Sequence, residues 1–196
     1  MSDQETIAIY DAQVEAYVNI IEKSKTDPTL EVFIKHLKAG NLVLDLGCGP
    51  GNSSSVMQNR GLKVDAIDAS KEMIKIAKEK YSINAKQATF DDLDSLNTYD
   101  GIWANFSLLH AASDDFPRHL NDIHDALVPN GIFHIAMKTG DGMKRDKLGR
   151  RYSYYSEQEL ITHLKTTGFS ILEKTNGIDK ALSGEMSPWV AILCKR

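Results

Sequence analysis

The sequence predicts an α/β sandwich built around a mostly parallel sheet, on three observations. From residue 41 onward, seven short apolar runs alternate with segments of helical periodicity. A turn rich in glycine joins the first of these runs to the helix that follows it. The composition, 42% hydrophobic and 26% charged, is that of an ordinary globular chain. At 196 residues the chain fits one domain and is long enough to enclose a substantial apolar core.

The elements read in order as follows. Ile7, Tyr10, Val14, Tyr17, Val18 and Ile21 recur at spacings of three and four, which predicts one amphipathic helix at the start. Asp27 before Pro28 is an N-cap with proline at the first helical position, and Leu30, Phe33, Ile34 and Leu37 give a second helix its buried stripe before Gly40 stops it. Residues 1–40 are thus expected to form an N-terminal helical cap on a main body of residues 41–196, the whole being a single domain.

The apolar runs expected as strands are 42–46, 64–67, 83–88, 101–105, 132–137, 170–172 and 190–194. Helices are expected over 53–60, 70–81, 116–128 and 156–167, the last opening on a capping box from Ser156 to Glu159 and ending at Gly168. Residues 139–153, with glycines and charges, are expected to be a mobile surface loop.

Charge narrows the function classes. The formal net charge is −4 and the pI about 5.9, with no dense Lys/Arg stripe, so nucleic acid is not an expected partner. No run approaches the roughly 18 apolar residues of a membrane helix, and the acidic, polar start does not resemble a targeting signal, so a cytoplasmic protein that does not engage membranes is expected. Cys48 and Cys194 are the only cysteines and are far apart, which supports neither a disulfide framework nor a zinc ribbon. His119 and His124 lie five apart and do not share a helical face as paired ligands would, so no metal site is expected.

The chemistry is concentrated in Val43-Leu44-Asp45-Leu46-Gly47-Cys48-Gly49-Pro50-Gly51, an apolar strand entering a loop of three glycines before a helix. Glycines let the backbone take positive φ and come close to a ligand, and the helix start offers unpaired N–H groups. Open α/β sheets bind ligands at the carboxyl ends of such strands. A dinucleotide fingerprint would need glycine where Asn52 stands, and a phosphate loop would need Gly-Lys-Ser/Thr, which is missing.

The string LDLGCGPG resembles the first signature of class I S-adenosylmethionine-dependent methyltransferases, and the similarity runs in order through most of residues 40–196. The resemblance implies a Rossmann-like three-layer sandwich with a seven-stranded, mostly parallel sheet and helices on both faces. It implies S-adenosylmethionine as cofactor, cradled by Asp45, Gly47, Cys48 and Gly49. Asp68, about 20 residues after the loop, ends the second run where an acidic side chain reaches a ribose diol, with Ala69 beside it. Asp68 could alternatively be only a neighbour of the helix cap at Ser70.

Met73 is expected near the adenine or in a core stripe. After the third run, Phe90 and Asp91 are expected at the adenine, with Asp92 the alternative carboxylate. Ala104, Asn105, Phe106 and Leu109 are expected beside the methionine part of the cofactor and the acceptor site. His110 is either a general base or a structural histidine bonded to a carbonyl. Tyr10 and Tyr17, seven apart on one helix face, belong to a segment that lids the cofactor in similar enzymes, or to the core. Lying in the loop after the fifth run, Arg150 and Arg151 are expected to hold an acceptor carboxylate, or else to be ordinary solvated surface.

The activity implied is in-line methyl transfer to a small-molecule acceptor, by a monomer or homodimer. The alternatives are a cofactor-binding sensor or partner subunit without turnover, and, against Pro50 and Asn52, a nicotinamide oxidoreductase.

Overall fold

The computed structural model describes residues 3–23 and 27–196. A seven-stranded sheet forms its middle layer. β1 (Leu42–Leu46), β2 (Lys63–Asp68), β3 (Lys86–Gln87), β4 (Tyr99–Asn105) and β5 (Leu127–Lys138) run parallel, while β8 (Ser170–Lys180) and β9 (Met186–Lys195) complete one edge as an antiparallel hairpin. The order is β3-β2-β1-β4-β5-β9-β8, so the direction of winding reverses between β1 and β4. A doubly wound sheet opens its ligand crevice at such a reversal, beyond the carboxyl ends of the strands.

Strand alternation feeds both helical layers. Val43 and Trp103 point to one face, where they pack with Leu30 and Phe33 of α3 (Pro28–Lys35) and Met57 of α4 (Asn52–Asn59). Ala77 of α5 (Lys71–Tyr81) meets Ala66 on the same side. Leu44, Ile102, Phe133 and Ile135 point the other way, onto Leu120 and Ile123 of α6 (Phe116–Ala126) and Leu160 and Leu164 of α7 (Glu157–Thr167). The caps are the expected ones: Asp27 accepts from the Thr29 N–H at 2.9 Å, Ser156 and Glu159 close a capping box, and Gly168 ends α7 at φ +112°.

Several elements depart from the expectation. The opening helix is two, α1 (Gln4–Ala12) and α2 (Val14–Lys23), because Gln13 leaves helical geometry at φ −111°, ψ 15°. The break brings the Tyr10 and Tyr17 rings edge to face at 5.7 Å. The segment expected to cap the body over residues 1–40 therefore divides: α1 and α2 roof the crevice, while α3 is an integral helix of one sandwich layer.

The third run yields only two strand residues, and the short run at 170–172 grows into an eleven-residue strand through pairing with β9. The presumed loop 139–153 contains a hairpin, β6 (Met143–Arg145) and β7 (Arg151–Ser153), fastened to α1 by Arg145 on Asp3 at 2.9 and 3.0 Å and by the Arg151 N–H on the Thr6 hydroxyl at 2.8 Å. Among the described residues no helix is long and apolar enough to cross a membrane.

Candidate functional site

The strand exits at the winding reversal open into a cleft. Its floor begins with Leu46 and the backbone of Gly47 and Gly49. Gly47 stands at φ +80°, and a Cβ there would come within 2.4 Å of the Ser107 Cβ, so only glycine lets the β1 and β4 exits approach. Ser107 ties the two exits together by donating to the Leu46 carbonyl at 2.6 Å.

Asp68 ends β2 at the centre of the floor. Its carboxylate accepts from the Gly49 N–H and the Ser70 N–H, each at 2.8 Å, so it shapes the glycine loop and the entrance to α5 together. Burial pushes its pKa up, against those two hydrogen bonds. Ala69 and Met73 lie alongside in the lining. Beyond the β3 exit, Thr89 and Asp92 bind each other as a capping box, with the Thr89 N–H donating to Asp92 at 2.7 Å. That turns Asp92 back on its own chain and leaves Asp91 and Phe90 in the lining. Arg118 of α6 bonds Asp91 at 2.5 Å.

At the β4 exit, Asn105 and Phe106 line the cleft. The Asn105 amide is engaged on the sheet's other side, donating to Asp27 at 3.2 Å and accepting from His134 at 3.1 Å. Phe106 is held at φ +54°, a left-handed conformation that costs a non-glycine residue about 1–3 kcal/mol and is concentrated at functional positions.

His110 also faces the cleft. Its Nδ1 donates to the Arg151 carbonyl at 2.6 Å, and its Nε2 accepts from the Tyr10 hydroxyl at 2.9 Å. Burial pulls the imidazole down to about 3, so it stays neutral. Both nitrogens are thus engaged, one of them by a backbone carbonyl. Tyr10 and Tyr17 form the roof, with the Tyr17 ring 3.7 Å from where a Gly49 Cβ would stand. Asp11 pins the roof to α5 by accepting from the Ser70 hydroxyl at 2.6 Å.

Six residues expected at the site lie outside its lining. Asp45 faces α4 beneath the loop, accepting from the Ser54 hydroxyl at 2.6 Å, and burial pushes its pKa up to about 7. Cys48 packs into the apolar cluster with Ala66, Ala77 and Ile83. Ala104 and Leu109 belong to the main core. Arg150 is 2% exposed, sits on Asp146 at 2.6 and 3.0 Å, and donates to the Tyr10 hydroxyl at 2.9 Å. Arg151 donates to the His110 carbonyl at 3.1 Å. Neither arginine lines the cleft, and Arg150 is held in place by its pairing with Asp146.

Sequence reasoning missed Asp3, Thr6 and Ile7, which only the docking of α1 brings to the cleft, and His119. A signal for His119 existed: it shares a helical stripe with the buried Phe116, Leu120 and Ile123.

Among the described residues, the formally charged side chains of the lining are Asp3, Asp68 and Asp91, with neither lysine nor arginine. A cationic sulfonium, a ribose diol and an exocyclic amine suit such a set. Among the described residues no group of His, Cys, Asp and Glu is arranged to hold a metal ion.

Comparison with known proteins agrees with this geometry. Residues 43–131 match the model of a methyltransferase domain. An uncharacterised methyltransferase of Staphylococcus carnosus is 26% identical over 165 residues, covering 78% of each chain. The O-methyltransferase resE of Aspergillus sclerotiorum is 28% identical over 204 residues, covering 90% of this chain and 76% of that one. The crystal structure of the Burkholderia thailandensis 1,6-didemethyltoxoflavin-N1-methyltransferase, holding its acceptor and S-adenosylhomocysteine, superposes with a TM-score of 0.80 at 20% identity over 98% of this chain and 88% of that one. The glycine loop, the sheet order and these matches agree: the chain is similar to S-adenosylmethionine-dependent methyltransferases in fold and, over residues 43–131, in sequence, and S-adenosylmethionine is the cofactor that this similarity supports.

Proposed function

We propose that the cleft holds S-adenosylmethionine along its floor and transfers the methyl group to a small molecule that enters beside the β4 exit. The observation that carries this is the placement of Asp68 and Asp91 in one cleft whose described lining holds no cationic side chain. Asp68 accepts from the ribose hydroxyls, with Gly47 and Gly49 giving the backbone room for close approach. Asp91, held by Arg118, accepts from the adenine amino group, with Phe90 and Met73 against the ring.

When bound, the cofactor supplies an electrophilic methyl carbon, attacked in line by an acceptor lone pair as the neutral thioether leaves. The chain's own residues then align and enclose. The roof formed by α1 and α2 excludes water through Tyr10 and Tyr17, and the Arg150–Tyr10–His110 chain of hydrogen bonds fixes its position. Alignment of this kind can supply ~7–11 kcal/mol of barrier lowering. His110, neutral with both nitrogens engaged, is a positioning residue for the roof.

The test is formation of S-adenosylhomocysteine from S-adenosylmethionine over a panel of small hydroxyl, amine and ring-nitrogen acceptors, read by mass spectrometry. Turnover on a small acceptor, abolished by Asp68→Ala, is the expected result. Turnover confined to protein or RNA acceptors overturns the small-molecule reading.

A further inference from the structure

With the cofactor placed as above, on which this inference rests, the remaining part of the cleft is walled by Ile7, Tyr10, Phe106, His110, Ala111 and Ala112. The side-chain hydroxyls and ring nitrogens beside it are already engaged. The Thr6 hydroxyl donates to Asp3 at 2.5 Å and receives the Arg151 N–H, while Ser107 donates to Leu46. The His110 ring nitrogens are taken by Tyr10 and the Arg151 carbonyl. The nearby cations point elsewhere: Arg150 to Asp146 and Tyr10, Arg151 to the His110 carbonyl, and Lys138 over the Tyr152 ring at 4.2 Å.

We propose that the acceptor is an uncharged, flat ring system, held between aromatic and small apolar side chains and not by an ion pair. A carboxylate placed here would lose its hydration and, among the described lining residues, find no lysine or arginine, a desolvation that protein sites do not tolerate unpaired. A flat, neutral ring loses little on entering. It gains apolar contact with Ile7, Ala111 and Ala112, and stacked or edge-on contact with Tyr10, Phe106 and His110. The left-handed backbone at Phe106 fits this use, since the strain there sets the direction of an aromatic side chain at the mouth of the acceptor end. The expectation that Arg150 and Arg151 grip an acceptor carboxylate is thereby replaced by its opposite.

Two probes with one carbon skeleton test the inference on the full chain saturated with S-adenosylhomocysteine: 2-naphthol, neutral near pH 7, and 2-naphthoate, anionic there. Calorimetric titration is expected to show 2-naphthol binding at least about tenfold more tightly than 2-naphthoate, with binding weakened by Phe106→Ala. Ile7→Ala reads the facing wall should the Phe106 variant not fold, and is expected to weaken 2-naphthol as well. Equal or tighter binding of 2-naphthoate overturns the proposal. So does binding of neither probe, or 2-naphthol binding that both variants leave unchanged. Failure of S-adenosylhomocysteine itself to bind the native chain is a separate result, which removes the cofactor placement and not only the acceptor class.

Discussion

Replacing Asp68 separates what the cleft does for a ligand from what it does for the fold. The carboxylate accepts two backbone N–H groups at 2.8 Å, and on the proposed reading it also accepts from a ribose diol. Removing a charged acceptor from hydroxyl donors costs about 1.5–3 kcal/mol, or roughly ten- to a hundredfold in Kd. Asp68→Ala in addition strands the Gly49 and Ser70 amides, each worth about 1–3 kcal/mol if water does not reach it. Asp68→Asn keeps an oxygen for one amide and loses the charge, so its effect on stability should be smaller than that of alanine. Calorimetry with S-adenosylhomocysteine and urea unfolding of the ligand-free chain measure the two quantities separately. A folded alanine variant with native affinity would refute the reasoning and leave Asp68 as a purely structural acceptor.

Three further outcomes follow from the same geometry. Gly49→Val places a β-branched residue at φ +53° beneath Tyr17 and should abolish S-adenosylhomocysteine binding while the chain still unfolds cooperatively; retained binding would mean that the loop does not approach the ligand. Arg150→Ala leaves Asp146 buried without its cation and should cost about 3–5 kcal/mol in urea unfolding, far more than loss of a surface charge, and a change under about 1 kcal/mol would contradict the buried pairing. Asp45 has its pKa raised from 3.8 to about 7, so its contribution to stability is full below pH 4 and is lost as pH rises toward 7. Relative to Asp45→Asn, the native chain should therefore lose about 1.4 kcal/mol per pH unit across that window, and parallel pH profiles for the two would show that the carboxyl titrates normally.

Much of this fold could be read in the sequence because its signals are local. The Asp27-Pro28 start, the Ser156–Glu159 box and the Gly168 stop each act within one helical turn, and all three stand in the structure. The glycine loop and Asp68 were legible for the same reason, since a strand, a tight turn and an acidic strand end are written in consecutive residues. Side-chain direction was not. Asp45 and Cys48 sit inside the motif yet turn beneath the loop, toward Ser54 and toward Ala66.

Charge without a partner misled in the same way. Arg150 and Arg151 appear as loop cations, but Asp146 four residues earlier takes Arg150, and the resulting hairpin docks on α1 through a contact 145 residues apart in sequence. Ile7 showed only as part of a helical stripe, and that it meets the cleft with Asp3 and Thr6 follows from tertiary docking.

The central claim, that this cleft is built for S-adenosylmethionine and not for a dinucleotide, is tested most directly by titrating the purified chain with S-adenosylhomocysteine and, under the same conditions, with NADH. The account predicts saturable binding of S-adenosylhomocysteine at one site per chain, lost in Gly49→Val, with no saturable binding of NADH. Tighter binding of NADH, or S-adenosylhomocysteine binding that Gly49→Val leaves intact, would contradict it.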